Sequence, residues 1–136
     1  MERAAALAFV SANHRGVLAT RRHDGTAVLV PVVAGLGADG RIAISTRGDS
    51  HKVADLRRDP QASLCVFSDA FFGAFVQIDG PVEILELPAA MDGLVDLYRQ
   101  IAGEHPDWEE FRGAMTREGR VLVMITPGRV GPAKRA

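Results

Sequence analysis

The sequence predicts a mainly β domain in which about six antiparallel strands form a closed or nearly closed barrel with flanking helices. Short apolar runs recur along the chain, and Asp-Gly pairs at residues 24–25 and 39–40 separate the first of them. Asp-Gly between two apolar runs is typical of a β-hairpin, because the turn needs positive φ angles. We expect the sheet to close because closure removes exposed strand edges, which otherwise pair with other chains.

The size and charge of the chain limit what it can be. Its 136 residues predict one domain over residues 1–130, followed by a flexible tail over residues 131–136. A hydrophobic fraction of 47% with a net charge of -1 is typical of a folded protein that lacks a positive field to attract nucleic acids. No run approaches the roughly 18 apolar residues that span a bilayer. We therefore expect a cytoplasmic protein with neither nucleic-acid nor membrane partners.

The first half of the chain combines four strands with two short helices. The predicted elements are a helix over 4–10, strands over 16–20, 27–33 and 41–46, a helix ending before residue 60, and a strand over 63–68. Leu7 and Val10 give the first helix one inward face. Pro60 ends the second helix, because a proline disfavours helical geometry in the residue before it.

The second half adds strands over 74–79 and 82–87, helices from residue 88 to 103 and from 106 to 115, and a strand over 120–126. Gly80 and Pro81 separate the first two strands, since proline suits a bend or an edge better than a central ladder. Pro88 opens the next helix, because proline is harmless at the first helical position. The last strand is apolar at nearly every position, which predicts burial on both faces, and one face can belong to a partner subunit.

The turn between the third strand and the second helix is the most informative segment. Asp49 or Ser50 can cap the helix, so the free amides and the positive end of the helix dipole point into the turn. Ser45, Thr46 and Ser50 add hydroxyls there, and Lys52 adds a full positive charge. We interpret the turn as a phosphate site. A solvated turn with an ordinary surface lysine remains the alternative.

Other charged and aromatic residues allow more than one interpretation. Arg47 and Arg57 extend the basic cluster around Lys52, which suits a phosphate or a short acidic tail better than a nucleic-acid duplex. His51 is either a polar loop residue or a hydrogen-bond donor over the same anion. Trp108 is interpreted as core or as an interface anchor, with an aromatic wall beside a flat ligand as the alternative.

Metal and nucleophile chemistry has little support in the sequence. The four histidines lie in separate turns, and a single cysteine cannot build a structural zinc site. Cys65 lies in an apolar run, which is typical of a buried, inert thiol. No G-x-S-x-G elbow is present, and no G-x-G-x-x-G fingerprint follows the first strand. We therefore predict no metal site and no catalytic side chain.

Four longer motifs resemble a known family. L-A-T-R-R-H-D-G-T-A-V-L-V-P-V (18–32) and I-S-T-R-G-D-S-H-K-V-A-D-L-R-R-D-P (44–60) resemble the pyridoxamine 5'-phosphate oxidase-like FMN-binding split-barrel superfamily. G-E-H-P-D-W-E-E-F-R (103–112) and R-V-L-V-M-I-T-P-G-R-V (120–130) are similar, more specifically, to its branch that uses the deazaflavin coenzyme F-420. Their order and spacing extend the resemblance over nearly the whole chain.

The resemblance implies a homodimeric split β-barrel with two cofactor sites at the subunit interface. By position in the motifs, the backbone of Pro31 and Val32 would lie along the tricyclic ring of the cofactor. Ser45 and Thr46 would lie near the ring or the phosphate linker.

The same resemblance assigns the phosphate and the tail of the cofactor. Ser50 and Lys52 would bind the phosphate, as the S-x-K element of the family does. His51 and Arg57 are further candidates around it, and Arg47 would meet the acidic polyglutamate tail of F-420.

The implied activity is hydride transfer from reduced F-420 to a conjugated small organic acceptor. Two alternatives stay open: an FMN-dependent oxidoreductase of the same family, and a protein that binds F-420, FMN or haem without turnover. The chain departs from true pyridoxamine phosphate oxidases at its C-terminus, where G-P-A-K-R-A replaces a substrate-binding Arg and His element. Oxidation of vitamin B6 is therefore not the expected activity.

Overall fold

The computed structural model describes residues 2–131 and confirms the mainly β prediction. The elements are α1 (Arg3–Ala12), β1 (Arg15–Arg21), β2 (Ala27–Leu36), β3 (Ile42–Arg47), α2 (His51–Arg58), β4 (Gln61–Phe67), β5 (Phe75–Leu85), α3 (Met91–Ala102), α4 (Trp108–Glu118), β6 (Arg120–Ile125) and β7 (Arg129–Gly131). No helix among the described residues is long and apolar enough to cross a membrane.

Six of the strands close into a barrel. The sheet order is β4-β1-β2-β3-β6-β5-β7, and β4 also pairs with β5, which joins the two ends of the six-stranded part. All of these pairings are antiparallel. The short strand β7 adds to β5 outside the ring. The predicted antiparallel barrel of six strands is thus confirmed, whereas its dimerisation stays a prediction.

Strand alternation separates two apolar cores. The barrel interior is filled by side chains that alternate inward, such as Leu18, Leu64 and Val123, all fully buried. Leu122 and Met124 of β6 point the other way and pack against α3 and α4 in a second cluster. Both faces of β6 are therefore buried, as predicted, but the outer face is covered by helices of the same chain and not by a partner subunit.

The region around Gly80 differs from the prediction. The sequence predicts two strands, over 74–79 and 82–87, but β5 runs without interruption from Phe75 to Leu85. The backbone of Thr126 passes so close that a Cβ on Gly80 would lie 1.8 Å from the carbonyl oxygen of Thr126. The glycine therefore allows two backbone segments to approach closely, and it does not break the strand.

Two smaller boundaries also differ. The third helix begins at Met91, because residues 87–90 form a turn that includes Pro88, so this proline does not occupy the first helical position. Strand β7 was missed because three residues carry too little periodicity to stand out. Gly131 ends this strand, and the rest of the predicted tail, residues 132–136, lies outside the described residues.

Candidate functional site

Helix α2 carries the predicted anion site. The hydroxyl of Ser50 accepts a hydrogen bond from the backbone N–H of Val53 at 3.4 Å, so Ser50, and not Asp49, caps the helix. Val53 and Leu56 are buried in the barrel core and fix the rotation of the helix. This rotation leaves Lys52 half-buried in the first turn, where it lines a cleft.

A polar network holds α2 against β1. The Asp55 carboxylate accepts from the buried Thr20 hydroxyl at 3.1 Å and from Arg58 at 3.3 Å. Arg58 also donates to the backbone carbonyl of Arg21. These contacts keep the N-terminal turn of α2, with Lys52, in one position relative to the barrel.

The cleft has a volume of about 580 Å³ and lies between the barrel and the two long helices. This volume falls within the range of small-molecule sites. Its lining residues come from β2, β3, α2, α3, α4 and β6: Pro31, Val32, Val33, Ser45, Thr46, Lys52, Leu94, Leu97, Tyr98, Ile101, Ala102, Phe111, Met115 and Arg120. Most of them are apolar or aromatic, and the polar ones belong to the end of β3 and the elements beside it.

The structure brings together five of the nine predicted site residues, which are Pro31, Val32, Ser45, Thr46 and Lys52. The other four lie elsewhere.

Those four have different surroundings. Arg47 and Arg57 line a neighbouring groove. The Ser50 hydroxyl is turned toward its own helix as the cap, and His51 is exposed and lines neither the cleft nor the groove. The anion turn is thus divided between two adjoining spaces.

That groove has a volume of about 540 Å³ and is lined by both positively and negatively charged side chains. Arg57 pairs with Glu86 at 2.7 Å, while Arg120 and Arg47 share Glu118 at 2.8 and 3.5 Å. The hydrogen bond from Arg120 holds the pKa of Glu118 below its usual range, so this carboxylate stays ionised. The predicted basic cluster is therefore largely neutralised by glutamates of the same chain.

Lys52 is the exception to this pairing. Within residues 2–131 no carboxylate lies within ion-pair distance of its ammonium group. The hydroxyl residues Ser45 and Thr46 line the same cleft. A half-buried cation without a carboxylate partner favours an anionic ligand at this place.

Sequence reasoning missed the helical wall of the cleft and the role of Arg120. Leu94, Tyr98 and Ile101 have the spacing of a buried helix face, and α3 was interpreted as ordinary core. The signal in the sequence is Ile101, which extends the apolar stripe to the end of the helix. In the structure this residue is exposed, so the stripe reaches beyond the core. Arg120 carried no local signal, because β3 and β6 pair only in the folded barrel.

A side-chain clamp positions α3 beside β2. The amide of Gln100 donates to the Leu36 carbonyl at 2.8 Å and accepts from the Leu36 N–H at 2.7 Å, as a neighbouring strand would. Gly35 permits this contact, because a Cβ there would lie 2.6 Å from Gln100. The gap between β2 and α3, and with it the width of the cleft, is set by this contact.

Trp108 belongs to the core behind that wall. Its ring packs edge-on against Tyr98 and Phe111, and its Nε1 donates to Glu104 at 3.0 Å. Trp108 does not line the cleft, whereas Tyr98 and Phe111 do. The core interpretation is correct, and the indole can still report on ligands through these two neighbours.

The cleft offers binding groups and no activated nucleophile. Cys65 is half-buried on a strand away from the cleft, and burial raises the pKa of its thiol, which disfavours the reactive thiolate. Among residues 2–131 no three histidine, cysteine or acidic side chains are grouped so that they could hold a metal ion. The arrangement is able to bind a flat ligand that carries an anionic group.

Comparison with known proteins agrees with this fold. The profile of the family described as pyridoxamine 5'-phosphate oxidase matches residues 3–132. A conserved hypothetical protein from Mycobacterium tuberculosis is 30% identical, with a TM-score of 0.80 over 96% of this chain and 82% of that one.

Two more distant structures share the fold alone. An F420 reductase is 18% identical, with a TM-score of 0.70 over 91% of this chain and 94% of that one. A pyridoxamine 5'-phosphate oxidase-related, FMN-binding protein from Nostoc punctiforme is 15% identical, with a TM-score of 0.65 over 93% and 79%. This fold therefore occurs with both cofactors. By its family match and its barrel, the chain belongs to the pyridoxamine 5'-phosphate oxidase-like split-barrel family.

Proposed function

We propose that this protein is an oxidoreductase that binds coenzyme F-420 in the cleft and transfers hydride from the reduced cofactor to a conjugated small organic acceptor. The observation that carries the proposal is Lys52, a half-buried cation with no carboxylate partner within residues 2–131, on the surface of a mainly apolar cleft of about 580 Å³. An apolar cleft with one anion-binding end suits a flat ring joined to a phosphate. The proposal includes a cytoplasmic location.

Each part of the cleft has a separate role in this proposal. The backbone of Pro31 and Val32 lies along the ring, and Ser45 and Thr46 donate hydroxyl hydrogen bonds near the linker. Lys52 and the first turn of α2 bind the phosphate. The cofactor supplies the hydride chemistry, so the protein needs only to orient the ring and to exclude water.

The Ser50 hydroxyl is compatible with a phosphate although it caps the helix. A serine hydroxyl has one donor and two acceptor positions, and the cap uses only one acceptor position. Its proton remains available for a phosphate oxygen. His51 and Arg57 are then outer residues, and Arg47 is the candidate contact for the acidic tail.

FMN is the second candidate cofactor, because its ring and phosphate make the same demands on the cleft. The FMN-binding relative favours it, and the F420 reductase favours the deazaflavin. The groove beside the cleft adds weight to F-420, since it is continuous through Arg120 and offers arginines to a polyglutamate tail.

A second copy of the chain is the proposed partner. Leu29, Pro31 and Val33 alternate outward along β2, and Leu29 is 66% exposed. Phe71 and Phe72 add exposed aromatic surface in the β4–β5 loop. Exposed apolar residues of this size favour an interface, and Pro31 and Val33 also line the cleft, so a partner on this face would border the cofactor.

A turnover assay distinguishes an oxidoreductase from a protein that only binds the cofactor. Protein mixed with reduced F-420 and a panel of quinones and other conjugated acceptors should restore the visible absorbance of the oxidised cofactor faster than the mixture without protein. The acceleration should fall in Lys52→Ala at subsaturating cofactor. Tight binding of F-420 without acceleration for any acceptor would favour a storage or carrier protein instead.

A further inference from the structure

Two arginines lie opposite each other on the neighbouring strands β3 and β6, at the edge of the cleft. Arg47 ends β3 and Arg120 begins β6, and the two residues are directly paired in the antiparallel register. Like charges directly opposite each other in such a pair are destabilising. This position therefore needs an anion.

Glu118 supplies that anion in the protein alone. Its Oε1 lies 2.8 and 3.0 Å from Nη2 and Nε of Arg120 and 3.5 Å from Nη2 of Arg47, so one oxygen serves both arginines. The end of α4 is held there by Gly119, whose carbonyl accepts from the Gly48 N–H at 2.9 Å. Glu118 is thus built into the junction between α4 and the β3 turn.

The junction lies where the cleft meets the groove. Arg120 lines both spaces, whereas Arg47 and Glu118 line only the groove. An anionic chain that leaves the cleft at its polar end would reach Arg120 first. There it would meet arginines that already have a carboxylate.

We propose that Glu118 is a specificity-determining residue. Its carboxylate pairs with Arg47 and Arg120 in the free protein and is displaced when the acidic extension of a cofactor binds these arginines. The inference rests on the proposed function and deepens it. Exchange of one carboxylate for another at a partly exposed ion pair changes the free energy little. Glu118 therefore lowers the binding free energy that an acidic tail can contribute, and it leaves the binding of the ring and the phosphate unchanged.

The experiment compares Glu118→Gln with Glu110→Gln in three titrations. Glu110 lies on the same helix and pairs with Arg117 at 2.9 Å, so both variants lose one negative charge, and Glu118→Gln loses its pairs with Arg47 and Arg120. The ligands are F-420 with its polyglutamate tail, the same deazaflavin phosphate after removal of the glutamates, and FMN. Glu118→Gln should bind the tailed form roughly fivefold more tightly than wild type, since one partly exposed pair no longer competes. Its affinity for the two tail-less ligands should not change.

Several outcomes would overturn the inference. Equal tightening for all three ligands would indicate a long-range charge effect. The same tightening of the tailed ligand in Glu110→Gln, which releases Arg117 at the groove, would show that Glu118 has no special role. Weaker tailed binding in Glu118→Gln would show that Glu118 positions the arginines and does not compete. Thermal unfolding of each variant verifies the fold, and Glu118→Asp, which keeps the charge, should bind the three ligands as wild type does. If wild type binds none of the ligands, the proposed function itself fails.

Discussion

Lys52 and the arginines near it carry the same charge but have different partners. Arg47, Arg57 and Arg120 pair with Glu86 or Glu118, whereas Lys52 lines the cleft without a carboxylate partner within residues 2–131. Burial of a charge without a partner is unfavourable, so the Lys52 position gains most when an anion binds. The distribution of partners thus separates Lys52, the proposed phosphate ligand, from arginines that already have carboxylate partners in the same chain.

Replacement of Lys52 by alanine should weaken cofactor binding strongly. Loss of a charge-assisted phosphate contact costs roughly 1.5–3 kcal/mol, or about 10- to 150-fold in Kd. Equilibrium titration of Lys52→Ala with F-420 and with FMN measures this loss. Arg112→Ala removes one positive charge from the exposed side of α4 and should leave both affinities unchanged. An unaltered Kd in Lys52→Ala would remove this residue from the site.

The predictability of the site follows from how far apart its residues lie in sequence. Ser45, Thr46, Ser50 and Lys52 are close together in the sequence, so capping and dipole arguments could predict an anion site at this turn without a structure. Tyr98 and Arg120 reach the same cleft only through packing and strand pairing. Long-range pairing leaves no local pattern, and a buried helix face has the same periodicity whether it covers a core or a ligand.

At the level of elements, α2 is short and depends on its cap and its buried face. Eight residues are too few for a stable isolated helix, so Ser50 and the packing of Val53 and Leu56 maintain it. Because the same turn presents Lys52, we expect the stability of the helix to be coupled to the proposed phosphate binding. Helix α4 has an analogous cap at Asp107, which lies away from the anion turn.

Removal of the α2 cap should affect both stability and binding. Ser50→Ala loses one hydrogen bond to the helix terminus and should cost about 0.5–2 kcal/mol of unfolding free energy. Asp107→Ala should lower stability by a similar amount through α4. Urea denaturation gives both values, and titration should show weaker phosphate-ligand binding in Ser50→Ala alone. Equal binding in the two variants would separate the cap from the site.

Gly80 is the position in β5 where a side chain has no space. Gly80→Ala brings a methyl group against the backbone carbonyl of Thr126, which cannot rotate away, so we expect a loss of about 1–3 kcal/mol or more. Gly113→Ala, in the interior of α4, meets only the flexible end of Arg117 and should stabilise the protein by about 0.5–1 kcal/mol. Urea denaturation of both variants measures the contrast. A stable Gly80→Ala protein would contradict the close approach described for β5.

For the whole molecule, the barrel was predictable because turns and alternation are local signals. The Asp-Gly turns and the alternating strands define β1 to β3, and closure follows from the need to pair the edges of the sheet. The continuity of β5 was not predictable, because Gly80 and Pro81 have the composition of a break. The reason for the glycine lies in the chain segment after β6, which packs across it only in the folded protein.

The mass of the protein in solution tests whether it is a dimer. Wild type should elute at twice the chain mass of 14.6 kDa in size-exclusion chromatography with light scattering. Leu29→Asp puts a charge on the exposed apolar face of β2 and should yield monomers with weaker cofactor binding, because the proposed partner would border the cleft. Ala5→Asp adds the same charge on the exposed side of α1 and should remain dimeric. A monomeric wild type would contradict the proposed dimer.

Above all, we propose that this barrel holds a deazaflavin phosphate beside Lys52. The most direct measurement is titration of the cofactor-free protein with F-420 and with FMN, followed by the fluorescence of Trp108 and of each cofactor. We expect tight, saturable binding of F-420 and weaker binding of FMN. A reversed preference would assign the protein to the FMN-dependent members of the family, and binding of neither cofactor would contradict the redox function.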